Sequence, residues 1–376
     1  MRKNSNYVDS HHRMSNYIVV VSPFYGGAEK RFFDIFRALR AQGEDVVFIA
    51  PSTLAEPLLA DFGTPELGSA ILSIDLPVWS RKKFIVGFLR LLSTLPRGSC
   101  FHYPMNCLWP LHLRRGDRVT MSVTDCVKVP GPLSSNHAGL WTWLSFFFVD
   151  RIDVLSPAVL SQMRDYRMAR KMSLTPGGTF LEAVVHTGQP RRPTVVLLNR
   201  LVAEKGIDNL LDVLPQVWAA FRDRAPSGTC FEVAGYGPMQ SHVIQRVGAL
   251  ARSGVPVSFV GYVDAAEFLS RSAVVLSMQE VTNYPSRVVA EALVLGCAVI
   301  VRNTGDSMQF GADMPGLSYC GEALDPLELS HLIANLLNRV MVDKGFSNQI
   351  AQAAQERFCS NASIAYFRAM LIGQEE

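Results

Sequence analysis

Residues 17–52 read YIVVVSPFYGGAEKRFFDIFRALRAQGEDVVFIAPS. YIVVVSP (17–23) is a β-branched run with strand character, and FYGGAE (24–29) is a glycine turn. KRFFDIFRALRAQG (30–43) spaces its apolar residues at helical intervals and stops on a glycine. EDVVFIAPS (44–52) returns to strand. Strand, glycine turn, helix and strand make a βαβ unit, which implies a parallel sheet and an α/β fold.

Working outward, RGDRVTMSVTD (115–125), FFFVDRIDVLSP (146–157) and KMSLTPGG (171–178) supply further strands of the first half. HTGQPRRP (186–193), rich in Gly, Pro and Arg, reads as a linker. The alternation then restarts. TVVLLNR (194–200) is a strand and GIDNLLDVLPQVWAAFRD (206–223) a long amphipathic helix. CFEVAGYGP (230–238) is strand and glycine loop, and MQSHVIQRVGALARSG (239–254) a helix. VSFVGYV (257–263), AVVLSM (273–278) and AVIVRN (298–303) are strands. SRVVAEALVLG (286–296) and DPLELSHLIANLLNRVMVDK (325–344) are helices. Two βα-repeat halves predict two facing doubly wound, Rossmann-like domains. Ligands of such sheets bind beyond the carboxyl ends of the strands, and the natural place is the cleft between the domains. The expected boundaries are an extension at 1–16, a first domain at 17–186, a linker at 187–193, a second domain at 194–355 and a returning C-terminal helix at 356–376.

The 376 residues are 48% hydrophobic and 18% charged, enough for sizeable cores. Net charge is +3, and the basic excess lies in residues 1–190. No Lys/Arg stripe of the kind a nucleic-acid protein carries is present; the mild excess fits anionic lipid head groups or phosphorylated substrates. The seven cysteines form no CxxC pair or Cys/His cluster, so neither a zinc site nor a disulfide framework is expected, and a reducing compartment follows. The N-terminus lacks the apolar core of a signal peptide, and no uncharged apolar run reaches about 18 residues. The expected location is the cytoplasm. RKKFIVGFLRLLSTLPR (81–97) reads as a helix with cations at both ends, suited either to burial or to docking on an anionic membrane.

Three features of the second half carry chemistry. In NRLVAEKGID, Arg200 ends a strand and Lys205 precedes a helix, so both cations and the positive helix end can meet one anion, such as a diphosphate. In AGYGP, Gly235 and Gly237 sit between strand and helix, where glycine lets a backbone approach a ligand. In NYPSRVVAE (283–291), Pro285 and Ser286 mark a helix start with Ser286 as cap, and Glu291 follows on that helix. A carboxylate there can accept from two adjacent hydroxyls of a ribose.

Taken in order, NRLVAEKGID, VAGYGP, FVGYV and EVTNYPSRVVAEALVLGCAVI resemble the motifs of glycosyltransferase family 4, the group 1 retaining glycosyltransferases of the GT-B fold. GGAE (26–29) is similar to that family's N-terminal glycine loop, and DVLSP…SLTPGG to the end of its first domain. The resemblance spans about residues 17–355. It implies a first domain that binds the acceptor and a second that binds the nucleotide sugar. Arg200 and Lys205 match the pair that neutralises the donor diphosphate, so no metal and no cofactor is expected. Glu291 matches the second glutamate of E-x7-E, which holds the ribose. Gly26 and Gly27 match the loop that approaches the phosphates and acceptor, and Gly235 and Gly237 the loop beside the base.

Two positions depart from the pattern. The first glutamate of E-x7-E is Asn283, with Glu280 three residues upstream. A carboxamide can still accept and donate hydrogen bonds, so Asn283 is expected to alter donor recognition rather than abolish activity. Thr124 stands where many members have histidine before Asp125; His102, Thr124 and Asp125 are candidates for the acceptor side. The expected activity is that of a retaining, metal-independent hexosyltransferase. It moves a sugar from a UDP- or GDP-linked donor to a saccharide or lipid-linked acceptor in bacterial surface polysaccharide synthesis, at the inner face of the cell membrane and without nucleic acid. Two other readings stay open: a non-catalytic GT-B nucleotide-sugar-binding partner subunit, and a nucleotide-sugar 2-epimerase.

Overall fold

The computed structural model describes residues 15–22, 26–75, 81–104, 112, 114–123, 146–163, 169–181, 190–311, 313–359 and 361–373. They divide into two compact units. The first holds the chain up to Val154, the stretch Gln162–Ser173 and the C-terminal residues from Ile364; the second holds Leu155–Ser161 and Leu174–Ser363.

The first sheet comprises β1 (Asn16–Val19), β2 (Val46–Pro51), β3 (Ile71–Ile74), β4 (Cys100–Tyr103), β5 (Arg118–Val123), β6 (Arg151–Val154) and β7 (Met172–Leu174), in the order β3-β2-β1-β4-β5-β6-β7. Strands β1 to β6 pair in parallel. Every residue of β1 and β4 is buried, as expected of strands covered on both faces, whose sequences read as continuous rather than alternating apolar runs. The helix Gly27–Ala41 buries Phe32, Phe33, Ile35, Phe36 and Leu39. Phe33 meets Phe48 of β2 edge-on at 5.4 Å. This helix starts three residues before the expected Lys30, because the Lys30 N–H already bonds the Gly26 carbonyl at 3.0 Å. The last helix, Asn361–Ile372, adds Phe367 to this core, 6.5 Å from Phe32.

The second sheet comprises β8 (Thr194–Leu198), β9 (Cys230–Ala234), β10 (Val257–Gly261), β11 (Val274–Ser277), β12 (Ala298–Arg302) and β13 (Leu317–Cys320), ordered β10-β9-β8-β11-β12-β13. All five pairs are parallel. The helix Ile207–Phe221 buries Ile207, Leu210, Leu211, Leu214, Val217 and Phe221, a stripe at helical spacing. The elements read from the sequence here lie within about two residues of their expected bounds, since β-branched strands and apolar-striped helices carry strong local signals, whereas the short β13 and the helix Ala265–Arg271 were not read. The strand order reverses at β8, with β9 on one side and β11 on the other. That reversal fixes where a ligand crevice forms: outside the carboxyl ends of β8 and β11.

Candidate functional site

Three loops knit together at that edge of the second unit. The chain after β8 is braced by the glycine loop after β9: Leu201 N–H donates to Tyr236 O at 2.9 Å and Met239 N–H to Leu201 O at 3.1 Å. Gly235 and Gly237 have φ of 134° and 157°, and a Cβ on them would stand 1.9 Å from Asn199 O and 2.5 Å from Leu201 O. Glycine is needed there for the packing of two loops, which is a different reason from the ligand approach read in the sequence. Gly206, with φ of 67°, abuts the end of β11 in the same way: a Cβ would lie 1.9 Å from Met278 O. The Glu280 N–H then donates to Glu204 O at 3.0 Å. Backbone contacts alone thus set Lys205 beside the loop that follows β11 and Arg200 beside the loop that follows β9.

The side chains continue the connection. Lys205 Nζ donates to Gln279 Oε1 at 2.7 Å. Gln279 Nε2 donates to Asn283 Oδ1 at 3.1 Å and to Ser286 Oγ at 3.4 Å. Lys205, Asn283 and Ser286 are therefore joined through Gln279, a residue that carries no motif in the sequence. Its only signal is its place, two residues beyond β11 at the reversal of strand order. Arg200 is exposed on the braced loop. Helix Arg287–Val294 starts after Ser286, across a cis Tyr284–Pro285 peptide, and no side chain caps it. The expected Ser286 cap is not formed, because its hydroxyl faces Gln279. Glu280 Oε1 accepts from Asn209 Nδ2 at 2.8 Å, so its carboxylate is turned to the start of helix Ile207–Phe221. Glu291 is on the expected helix, where Arg287 Nε donates to its Oε1 at 2.7 Å. An anionic carboxylate here is already paired one turn back along the helix.

Asn283 differs from its sequence reading. It is 1% exposed. Its Oδ1 accepts from Ser277 Oγ at 2.5 Å as well as from Gln279, and its Nδ2 donates to Arg302 O at 3.1 Å. Its backbone N–H donates to Ser307 Oγ at 2.7 Å. The carboxamide ties β11 to β12, and a carboxylate has no proton to give Arg302 O. Asn283→Asp, which keeps the shape and loses that donor, should cost about 2–4 kcal/mol in chemical denaturation at pH 7. Protonating the new carboxyl restores a donor, so the deficit should shrink as pH falls toward 4.

In the first unit, Gly26 is the extended N-cap residue of helix Gly27–Ala41, so Gly26 and Gly27 sit at its positive end. His102 lies on β4 and is 1% exposed. Its ring is enclosed by Thr120 Oγ1 at 2.9 Å from Nδ1 and Ser122 Oγ at 2.9 Å from Nε2. Ser122 donates its own proton to Asp153 Oδ2 at 2.7 Å, so His102 Nε2 must be the donor to Ser122. Asp153 also accepts from Tyr366 of the last helix at 2.8 Å and faces Arg31 at 3.8 Å. His102 is thus a satisfied interior histidine rather than an acceptor contact. Burial, with Arg31 adding repulsion, depresses its pKa to about 3. The unfolded ring takes a proton below about pH 6.5 and the folded ring does not, so this stabilisation is full above pH 6.5 and fades as pH falls toward 3. Wild type should therefore lose up to about 1.4 kcal/mol per pH unit more than His102→Gln across that window, read from urea titrations. Thr124 and Asp125 lie outside the described residues. Among the described residues no group of three or more His, Cys, Asp or Glu is placed to hold a metal ion, and no helix is long and apolar enough to cross a membrane.

Comparison with known proteins agrees with this architecture. Residues 192–339 match the family model described as glycosyl transferases group 1. The fold is that of the GT-B glycosyltransferases. HepE of Anabaena, solved with UDP and glucose, superposes with a TM-score of 0.72 at 14% identity, covering 96% of this chain and 100% of that one. The pneumococcal O-GlcNAc transferase GtfA, solved with UDP and GlcNAc, gives 0.70 at 10% identity, covering 96% and 99%. The sucrose-phosphate synthase of Thermosynechococcus elongatus gives 0.69 at 16% identity, covering 94% and 97%. No curated protein sequence matches the chain.

Proposed function

We propose that this protein is a retaining glycosyltransferase. It would move a hexose from a UDP- or GDP-linked donor to a hydroxyl of a saccharide or lipid-linked acceptor. The observation that carries the reading is Lys205. Its ammonium is held by Gln279 where the loops after β8 and β11 meet, with Arg200 on the same braced loop. One held cation, with a second on the adjoining loop, at the topological reversal suits a diphosphate. As the bond from anomeric carbon to phosphate oxygen breaks, negative charge grows on the leaving diphosphate. Lys205, already in place, stabilises that charge with little reorganisation, and in this reading it and Arg200 take the part a divalent metal plays elsewhere. Glu291 holds the ribose diol by accepting from its hydroxyls, with Arg287 fixing the carboxylate. The glycine loop at 235–237 lies toward the base.

The UDP complexes of HepE and GtfA support the donor class. A site in the cytoplasm, at the inner membrane face, fits helix Arg81–Thr94. There Val86 and Leu89 are 50% and 45% exposed, beside exposed Lys83 and Arg90. Synthesis of a bacterial surface polysaccharide is the role we assign from the resemblance to group 1 glycosyltransferases. Incubating the protein with UDP- and GDP-sugars, with and without lipid-linked saccharides, tests the proposal. Release of nucleoside diphosphate with an α-configured product from an α-configured donor is expected. Binding without turnover on any acceptor would instead favour a non-catalytic nucleotide-sugar-binding subunit.

A further inference from the structure

We infer that Gln279, and not Asn283, is the side chain of the β11 loop that meets the donor, and that it reads a hydroxyl of the transferred sugar. The inference rests on the donor site proposed above and adds to it the group that selects the sugar.

Asn283 is withdrawn from any ligand by geometry. Its acceptor is taken by Ser277 and Gln279, its amide is committed to Arg302 O, and it is 1% exposed. Gln279 is in the opposite situation. It is partly exposed at the end of β11, and its two polar atoms face different neighbours. Oε1 holds the Lys205 ammonium, while Nε2 reaches Asn283 and Ser286, the latter over a long 3.4 Å. Of these contacts, the one to Lys205 is the one an anionic ligand would replace. A diphosphate draws the ammonium to itself, since a charged oxygen is a stronger acceptor than a neutral carboxamide. Oε1 is then left without its partner beside the bound phosphate. A part-buried acceptor beside a bound ligand is filled by water or by a donor on the ligand, and a ligand donor spares it that exchange. A sugar hydroxyl next to the phosphate-bearing carbon meets that need. It can donate to Oε1, and its oxygen can accept from the weakly engaged Nε2. A nucleoside diphosphate without sugar offers no such group. Gln279 therefore serves as a placeholder for Lys205 in the empty site and as a sugar contact in the occupied one.

Calorimetric titration of the full chain with UDP, UDP-glucose, GDP and GDP-mannose tests this. Wild type, Gln279→Ala, Gln279→Glu and Asn283→Asp would be compared at a temperature where circular dichroism shows all four folded. Gln279→Ala should keep nucleoside diphosphate affinity within about threefold and lose about tenfold or more for the matching nucleotide sugar, the worth of one well-placed hydrogen bond. Gln279→Glu should weaken the nucleoside diphosphate itself, because its carboxylate competes for Lys205 and repels phosphate. Asn283→Asp should leave the ratio of the two affinities unchanged. If wild type binds a probe and Gln279→Ala weakens sugar-bearing and sugar-free forms equally, or neither, the assignment of Gln279 is wrong while the donor site stands. A ratio altered by Asn283→Asp overturns it too. If wild type binds none of the four, the donor site itself falls, and this inference with it.

Discussion

Lys205→Ala should lower turnover by about a hundredfold or more, the scale seen when one preorganised charge partner of a transition state is removed. The ammonium lies at the reversal of strand order, and one of its contacts, to the Gln279 carboxamide, is neutral and exchangeable. Its loss removes charge stabilisation from the departing diphosphate while the loop stays in place, because that loop is held by backbone bonds from Glu280 to Glu204 and by Gly206 against Met278. The melting temperature should accordingly move by only about a degree or two, the response to a surface change. Lys205→Arg keeps charge but needs more room and a planar partner, so it should recover only part of the rate. Steady-state rates with the preferred nucleotide sugar, alongside thermal melts, check both halves. A variant with normal rate would remove Lys205 from the mechanism.

The second large effect is structural. Gly235→Ala should destabilise the protein by about 3 kcal/mol or more, through a backbone conformation that L residues rarely adopt together with direct collision. Its φ is 134°, and the added carbon would stand 1.9 Å from Asn199 O and 3.0 Å from the Asn199 carbonyl carbon. Relief requires the loops after β8 and β9 to part, which also displaces Arg200. Gly254→Ala is the control. Its φ is 90° with nothing within 4 Å, so it carries the conformational cost alone, about 1 kcal/mol. Urea midpoints of the two variants should differ widely. Equal midpoints would mean that the loops are not braced as described.

The alternation of strand and helix was legible in the sequence because each half carries strong local signals. β-branched runs such as VVFIA and TVVLL mark strands, and the stripe Ile207, Leu210, Leu211, Leu214 marks a helix without help from the rest of the chain. Arg200, Lys205 and Glu291 were legible as donor-site candidates because their order along the chain constrains them. What the sequence hid was direction. His102 reads only as an acceptor-side candidate; it lies on β4, and its burial depends on Thr120, Ser122 and Asp153 of neighbouring strands. Asn283 sits at the position of a family glutamate, yet its side chain is claimed by Ser277 and Arg302 from two other strands. Gln279 was invisible for the converse reason: a lone glutamine has no pattern, and only the strand order gives it a place. Gly235 and Gly237 were seen as necessary glycines, but their partner is the neighbouring loop.

The central claim is that a nucleoside diphosphate sits at the carboxyl ends of β8 and β11. Amide hydrogen exchange with and without UDP or GDP tests it most directly. Using whichever nucleotide binds, slower exchange should centre on residues 200–206, 235–237 and 278–291, and Lys205→Ala should abolish it. Tight binding with no change in those segments, or protection centred on another part of the chain, would contradict the account.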